Sequence, residues 1–289
     1  GNSAYSSDTA QVSVDVLAVN KAPTLELPEG ITAVFTEGNG PVVVAGPSLN
    51  VSDVDNQFLK SAAISITNHQ TTEADVLIAS TNGSGIATNY DANTGILALT
   101  GDGTVAEYQA VLRTVTFDNP SHDPATHDRI VTFVVSDILS DSNIVSSTVR
   151  LESVNDPPLI DLNGINVPGN NVTVKFDKSN WGGNAVPISS DLEIQDLDDT
   201  SLIAATVTLV DRPDGQSEYL EVDTLGTNIT AVIEQEGGQL QLTGMESLAN
   251  YKRVLRTITY ANSREHPLTT DRLARFTVPD HLGKSNGAI

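Results

Sequence analysis

Cysteine does not occur anywhere in the 289 residues. Its absence excludes disulfides, a thiolate nucleophile and any Cys-based zinc or iron–sulfur site. Stability therefore rests on the apolar core and on any bound ions. Aromatic residues make up only 4% of the chain, with a single Trp, so that core must be built from Val, Ile and Leu, which favour strands. Cationic residues are also scarce. Against 37 Asp+Glu there are 15 Lys+Arg, a formal net charge of −22, and the clustered cations that a nucleic-acid backbone needs are missing. An acidic surface of this kind solubilises the chain and attracts divalent cations. No run of 18 apolar residues is present, so no membrane span is expected. The opening Gly-Asn-Ser-Ala-Tyr is not the basic-then-apolar pattern of a signal peptide and reads as the interior of something longer.

Recognisable catalytic motifs are absent too. His69, His122, His127, His266 and His281 are scattered, with no His-Glu-x-x-His among them, and there is no Gly-x-Ser-x-Gly elbow, phosphate loop or dinucleotide fingerprint. His122 and His127 share a loop with Asp123 and Asp128, a set that suits either a metal or plain solvation. The expectation is a chain that is not an enzyme.

What is present is a stretch written twice. Tyr108–Asn119 reads YQAVLRTVTFDN and Tyr251–Asn262 reads YKRVLRTITYAN, an offset of 143 that holds without a gap from Asp53/Asp196 to Asn143/Asn286. A fixed period marks a repeated folding unit, and the length independently allows two domains. The punctuation Ala18–Pro23 (AVNKAP) returns as Ser153–Pro158 (SVNDPP), with Asn20 and Asn155 separated by 135. The second unit therefore carries eight extra residues before Asp196, placed in the Gly-rich loop Asn180–Asn184 around Trp181. Pro after a polar pair makes each join a stiff, extended one. The boundaries follow: residues 1–19 as the closing strand of a preceding repeat, 20–154 as one repeat, and 155–289 as a repeat lacking its last strand.

Within each unit, short strands alternate with turns at the spacing of a β-sandwich. Strand alternation is predicted at Gln11–Val16, Ala62–Ile66, Val76–Ile78, Ile96–Leu99, Ile130–Val135 and Ile144–Leu151, and at Ala205, Val207 and Leu209. Turns are predicted at Asn93-Thr94-Gly95, Asp102-Gly103, Asp214-Gly215 and Gly237-Gly238. Thr104–Glu107 forms a capping box, after which Val105, Tyr108 and Leu112 share a helical face. One to two helical turns are expected there, leading into a strand at Thr114–Phe117. In the second unit Ser247–Asn250 lacks the Glu, so its cap is expected to be weaker. Leu112 and Leu255 are expected in equivalent buried places.

These residues, taken in order, resemble the cadherin-like tandem repeats of large secreted and cell-surface proteins. The resemblance is carried by Val-Asn-Asp-Pro-Pro between units, Thr36-Glu37-Gly38, Asp53-x-Asp55, the Gly95–Gly101 segment and the Tyr-x-x-Val-Leu-Arg-Thr-Val-Thr-Phe stretch. It implies an all-β fold of tandem Ig-like or cadherin-like sandwiches, each with one short helical turn. It also implies calcium at the second linker, held by Glu37, Asn155, Asp156, Asp196 and Asp198, a set of oxygens that suits a hard cation. Lys21 stands where the second linker has Asp156, which removes a ligand and adds a positive charge, so the first linker departs from the pattern. The second unit reads Phe176-Asp177-Lys178 where the first has Phe35-Thr36-Glu37. The same acids also suit solvated turns.

The function expected is an extracellular structural or adhesive tandem-repeat module, a spacer, filament or cell-surface adhesion unit. Its partners would be neighbouring repeats of the same or an identical chain. The rivals are a glycan- or ligand-binding module using the Trp181 loop and an accessory domain of a larger secreted enzyme. Sequons at Asn50, Asn82, Asn171 and Asn228 are compatible with secretion. The surplus strand at the start and the missing one at the end admit two arrangements. In the favoured one the chain continues as a longer array. In the other, residues 1–19 of one molecule complete residues 159–289 of the next by strand addition.

Overall fold

In the computed structural model, which describes residues 9, 11–17, 19–177, 185–234 and 238–288, the chain divides into two compact units, Gly1–Ser153 and Val154–Ile289. Among the described residues both are all-β apart from one eight-residue α-helix and a short 3₁₀ turn each. The Trp181 loop, its glycines and Gly237 lie outside the described residues.

The first unit runs β1 (Thr24–Glu26), β2 (Thr32–Thr36), β3 (Val42–Val43), β4 (Asn50–Ser52), β5 (Phe58–Ile66), β6 (Val76–Ile78), β7 (Ala87–Asp91), β8 (Ile96–Thr104), α1 (Val105–Leu112), β9 (Thr116–Asp118), β10 (Arg129–Ser136) and β11 (Val145–Glu152). One sheet has the order β2-β11-β10-β5-β8-β7, a second β3-β9-β6, and β1 pairs with β4. Alternation decides which side of each strand is buried. Val131, Phe133 and Val135 of β10 point inward beside Ile64 and Ile66 of β5. The core lies between the sheets, where Phe35 of β2 meets Phe117 of β9 edge to face at 5.4 Å. α1 carries the chain from one sheet to the other and buries Tyr108, Val111 and Leu112.

Within the units the predicted strands at Ala62–Ile66, Val76–Ile78, Ile96–Leu99, Ile130–Val135 and at Ala205, Val207 and Leu209 fall inside observed ones, those at Ile144–Leu151 and Thr114–Phe117 overlap β11 and β9, and there is one correction among the turns. Asp102-Gly103 is not a turn but part of β8. Here β5 and β8 lose register between Leu59 and Ser61, a bulge that sets two residues of β8 against one of β5. Gly101 takes φ 119° in this bulge, so its glycine chemistry serves a kinked strand.

The second unit repeats the order with β12 (Leu159–Asp161), β13 (Val186–Pro187), β14 (Glu193–Gln195), β15 (Ser201–Leu209), β16 (Glu218–Glu221), β17 (Thr230–Ile233), β18 (Gln239–Ser247), α2 (Leu248–Leu255), β19 (Thr259–Asn262), β20 (Ala274–Pro279) and β21 (Ser285–Ala288). Its sheets read β17-β18-β15-β20-β21, β13-β19-β16 and β12-β14. Leu255 ends α2 as Leu112 ends α1, and both are fully buried. The same bulge recurs between Leu202 and Ala204.

Both ends differ from expectation. Residues 11–17 form no strand among the described residues. Alternation identifies a strand only where an edge offers backbone partners, and here both faces of the segment remain exposed. The closing strand expected to be missing from the second unit is partly formed, because β21 pairs with β20 from Phe276↔Ala288 to Pro279↔Ser285. That continues the register of β10 with β11, in which Phe133 faces Val145.

Candidate functional site

The candidate site is the end of the second unit where residues 155–156 meet the 196–199 loop and the β20–β21 hairpin. Asp196 shapes its loop as an Asx turn: its Oδ1 accepts the backbone N–H groups of Asp198 and Asp199 at 3.1 and 2.9 Å. The Asp156 N–H donates to Asp198 Oδ2, which draws the entering chain onto the loop. Asn155 Nδ2 donates to Asp280 Oδ2 at 2.6 Å. Asp280 Oδ1 in turn accepts the N–H groups of Leu282 and Lys284 at 2.8 and 2.9 Å, which fixes the hairpin. Burial pushes the Asp280 carboxyl up, but the bonds from Asn155, Lys284 and Leu282 together outweigh it and hold the group below the usual carboxylate range.

Of the residues named from sequence, Asn155, Asp156, Asp196 and Asp198 come together here. Glu37 belongs to the first unit. There it is buried, accepts the Ser153 hydroxyl at 3.1 Å, and lies 3.9 Å from His122 Nδ1. His127 lies 3.5 Å from Glu73. Asp199 and Asp280 were not anticipated. The signal for Asp280 was available, since the 143 offset pairs it with Asp137.

The first unit builds the corresponding end on the same scaffold. Asp53 Oδ1 accepts Asp55 N–H and Asn56 N–H at 3.1 and 2.9 Å, Lys21 N–H donates to Asp55 Oδ2 at 2.9 Å, and Asn20 Nδ2 donates to Asp137 Oδ2 at 2.9 Å. The difference lies in the side chains that complete it. Asn56 Nδ2 donates to Asn20 Oδ1 at 2.8 Å and to Asp137 Oδ2 at 3.1 Å. Its counterpart Asp199 is a carboxylate with no proton to donate. Lys21 is likewise replaced by Asp156. The amide and ammonium of one unit thus become two carboxylates in the other. Part of that charge is answered by Lys284, whose Nζ donates to Asn155 O at 2.7 Å, and by His281, whose Nδ1 lies 2.6 Å from Asp199 Oδ2. The Asp199 bond raises the His281 pKa above its ordinary value.

The donor set fits a hard cation. Asp156, Asp196, Asp198, Asp199 and Asp280 stand on the entering chain, the loop and the hairpin that these hydrogen bonds tie together, and carboxylate, amide and backbone oxygens are the ligand chemistry of calcium. Asp196 Oδ2 is buried without a hydrogen-bond partner, an orphaned acceptor of the kind a cation satisfies. Asp53 Oδ2 is orphaned in the same way, so the orphan alone does not distinguish the two units. The exchange of Lys21 and Asn56 for Asp156 and Asp199 does.

No protein-family model and no curated protein matches the chain. Among solved structures it is similar to the C-terminal domain of the Streptococcus agalactiae AgI/II polypeptide BspA, at 12% identity over 92% of this chain and 98% of that one, with a TM-score of 0.23. It is also similar to cadherin domains 1–5 of protocadherin gamma B2, at 13% identity over 93% of this chain and 38% of that one, TM-score 0.31. A third is domains 5–6 of the S-layer protein SbsC, at 12% identity over 94% and 98%, TM-score 0.23. At these scores the fold rests on the strand order and cores described above. No described helix is long and apolar enough to cross a membrane.

Proposed function

We propose that the chain is an extracellular structural or adhesive module of cadherin-like sandwiches, with calcium bound by the acidic end of the second unit. The observation that carries this reading is the exchange of Lys21 and Asn56 for Asp156 and Asp199 on an otherwise repeated scaffold. Asp156, Asp196, Asp198, Asp199 and Asp280 would supply carboxylate oxygens, and Asn155 a neutral one. Calcium would neutralise carboxylates that otherwise repel at short range and tie the entering chain, the Asx loop and the hairpin together. No chemical step is assigned to the module. Its work is to hold shape and present surface.

The test is a thermal melt in calcium and in chelator, on the parent chain and on Asp196→Asn/Asp198→Asn. A ligand that binds only the folded state stabilises it by about 2.7 kcal/mol at a hundredfold excess over Kd. Calcium should raise the parent Tm well beyond NaCl of equal ionic strength and leave the double variant nearly unmoved. An equal response in parent and variant, or none in either, rules the reading out.

A further inference from the structure

Four Asn-Gly pairs occur in the chain: Asn39-Gly40, Asn82-Gly83, Asn163-Gly164 and Asn286-Gly287. Such a pair holds both halves of a cyclisation, the backbone nitrogen of the glycine as nucleophile and the side-chain carbonyl carbon of the asparagine as electrophile. Glycine leaves the approach unhindered because it has no Cβ. The fold treats the four pairs differently.

Asn82-Gly83 makes the turn between β6 and β7, which are edge strands of the two larger sheets of the first unit. Thr81 O accepts the Ser84 N–H at 2.9 Å, and the φ angles of Asn82 and Gly83 are 49° and 78°, the signature of a type I′ turn. Both residues are exposed. The Gly83 N–H has no hydrogen-bond partner among the described residues, and a Cβ on Gly83 would meet nothing within 4 Å. The electrophile is prepared as well. The Ser80 hydroxyl donates to Asn82 Oδ1 at 2.9 Å, and Ser80 is itself anchored by its N–H, which donates to Thr114 Oγ1 at 2.9 Å. A donor on the amide oxygen draws charge from the carbonyl carbon and stabilises the oxyanion that forms when nitrogen adds.

The other pairs lack this combination. Asn39 is exposed, but no donor reaches its side-chain oxygen among the described residues. Asn163 Oδ1 is buried without a partner, and its Nδ2 is held by Pro168 O at 3.3 Å. Gly287 stands opposite Thr277 in the β20–β21 ladder, whose pairing fixes an extended backbone. In the second unit the 143 offset sets Leu225-Gly226 against Asn82-Gly83. The turn is kept there, with Thr224 O accepting the Thr227 N–H at 3.2 Å and Gly226 at φ 77°. The turn as such therefore does not require the asparagine.

We propose that Asn82 is a site of spontaneous modification, cyclising with Gly83 to a succinimide that water opens to aspartate and isoaspartate, with the Ser80 hydroxyl accelerating ring closure. In the first step the Gly83 nitrogen bonds to Asn82 Cγ and gives its proton to solvent base, the Cγ–Nδ2 bond breaks, and the amide nitrogen leaves as ammonia. In the second, water adds to one imide carbonyl and the ring C–N bond breaks there. Opening at the side-chain carbonyl gives aspartate. Opening at the main-chain carbonyl gives isoaspartate, which routes the backbone through the side chain and lengthens the turn between the two sheet edges by one methylene. Either product adds a carboxylate to a chain already at −22.

The test is a time course of the purified full chain at mildly alkaline pH, read by peptide mass mapping, with isoaspartate counted by an isoaspartyl methyltransferase and labelled S-adenosylmethionine. The Asn82 peptide should exchange amide for acid several-fold faster than the Asn39 peptide, with those of Asn163 and Asn286 slower still. Ser80→Ala, at an exposed position, should bring Asn82 down to about the rate of Asn39. Asn82→Leu, which installs the second unit's own residue, should remove most of the methyl acceptance. A rate at Asn82 no greater than at Asn39, or one that Ser80→Ala leaves unchanged, overturns the inference. So does a chain recovered with a glycan on the Asn82 sequon, since that glycan would occupy the reacting amide.

Discussion

The repeated stretch recurs because the residues its two copies share do the same jobs twice. Tyr108 and Tyr251 are fully buried, and each hydroxyl donates to a bulge-glycine carbonyl, Gly101 O and Gly244 O, at 2.7 Å. Burial pushes both phenols up to about 12. Arg113 and Arg256 reach the carbonyls of Leu49 and Leu192 at 2.8 and 2.7 Å. Thr114 and Thr257 bond back to Val111 O and Val254 O at 2.7 Å, helping to end the helix. The two glycines are bound to this arrangement by sterics. With φ at 119° and 128°, a Cβ would sit 2.7 Å from Gly85 O at Gly101 and 2.4 Å from Asn228 O at Gly244. Gly101→Ala and Gly244→Ala should each lose about 1–3 kcal/mol, the range for a non-glycine residue forced into a sparse backbone region. Gly85→Ala is the control, since its Cβ meets only Asp102 O at 3.6 Å. Urea melts would show whether the variants separate in this way. Equal midpoints for all three would refute the steric account.

Among the elements, what was legible in the sequence was what is local. The Thr104/Glu107 capping box lies three residues apart and forms as expected. α2 keeps the Ser247 bond to Asn250 N–H, and Glu246 takes the missing partner's place in part by accepting the Ser247 N–H at 3.4 Å, while it also accepts Asn250 Nδ2 at 2.7 Å. The ion-pairing arginine of each unit, fully buried at Arg129 and partly exposed at Arg272, was not legible as an ion-pair centre, because its partners are remote and change position between the repeats. Arg129 binds Asp75 at 2.6 Å and Glu73 at 2.9 Å; Arg272 binds Asp214 at 2.6 Å and Glu218 at 2.9 Å. The 143 offset sets Asp75 against Glu218 but Glu73 against Gln216, and Asp214 against Thr71, so only one acid of each network is aligned. At the acidic end, the linker and Asp-x-Asp residues were legible, but Asp280 joins them only because the hairpin folds back onto Asn155. The network also makes a prediction. Arg129→Met leaves Asp75 buried without its cation, and breaking a buried pair from one side costs about 3–5 kcal/mol. Denaturant unfolding of this variant should show a loss of that size. A loss under 1 kcal/mol would mean that Asn119, whose Nδ2 donates to Asp75 Oδ1 at 2.8 Å, holds the carboxylate without the cation.

Over the whole molecule, two electrostatic effects oppose each other as pH falls. The net charge of −22 is repulsive, and protonating carboxylates relieves it. Against this, several carboxylates are held below their ordinary range by native bonds: Asp91 by the Asn93 N–H and Thr94, Glu107 by the Thr104 N–H and hydroxyl, and Glu246 by Asn250 and the Asn228 N–H. Burial pushes Asp214 up, but Asn262, the Leu268 N–H and Arg264 together outweigh it and hold it low. A depressed native pKa contributes stability that is complete above the unfolded value, about 4, and is lost as pH falls through the native one. His281 has the opposite sign. Its raised pKa contributes stability below about pH 6.5 that fades as pH rises through the raised value. At physiological salt the Debye length is about 8 Å, so diffuse repulsion is screened while bonds at contact distance are not, and the depressed carboxylates should win. Tm is therefore expected to hold between pH 5 and pH 6.5 and to fall below about pH 4. Asp214→Asn isolates the cause: it should lower Tm at neutral pH, where the parent carboxylate is charged beside Arg264 and Arg272. The gap should then close as pH falls through the depressed pKa of Asp214 and the parent carboxyl takes up its proton. A gap that stays constant with pH would remove Asp214 from the account, and a Tm that climbs from pH 5 to pH 3 would show that relief of repulsion dominates.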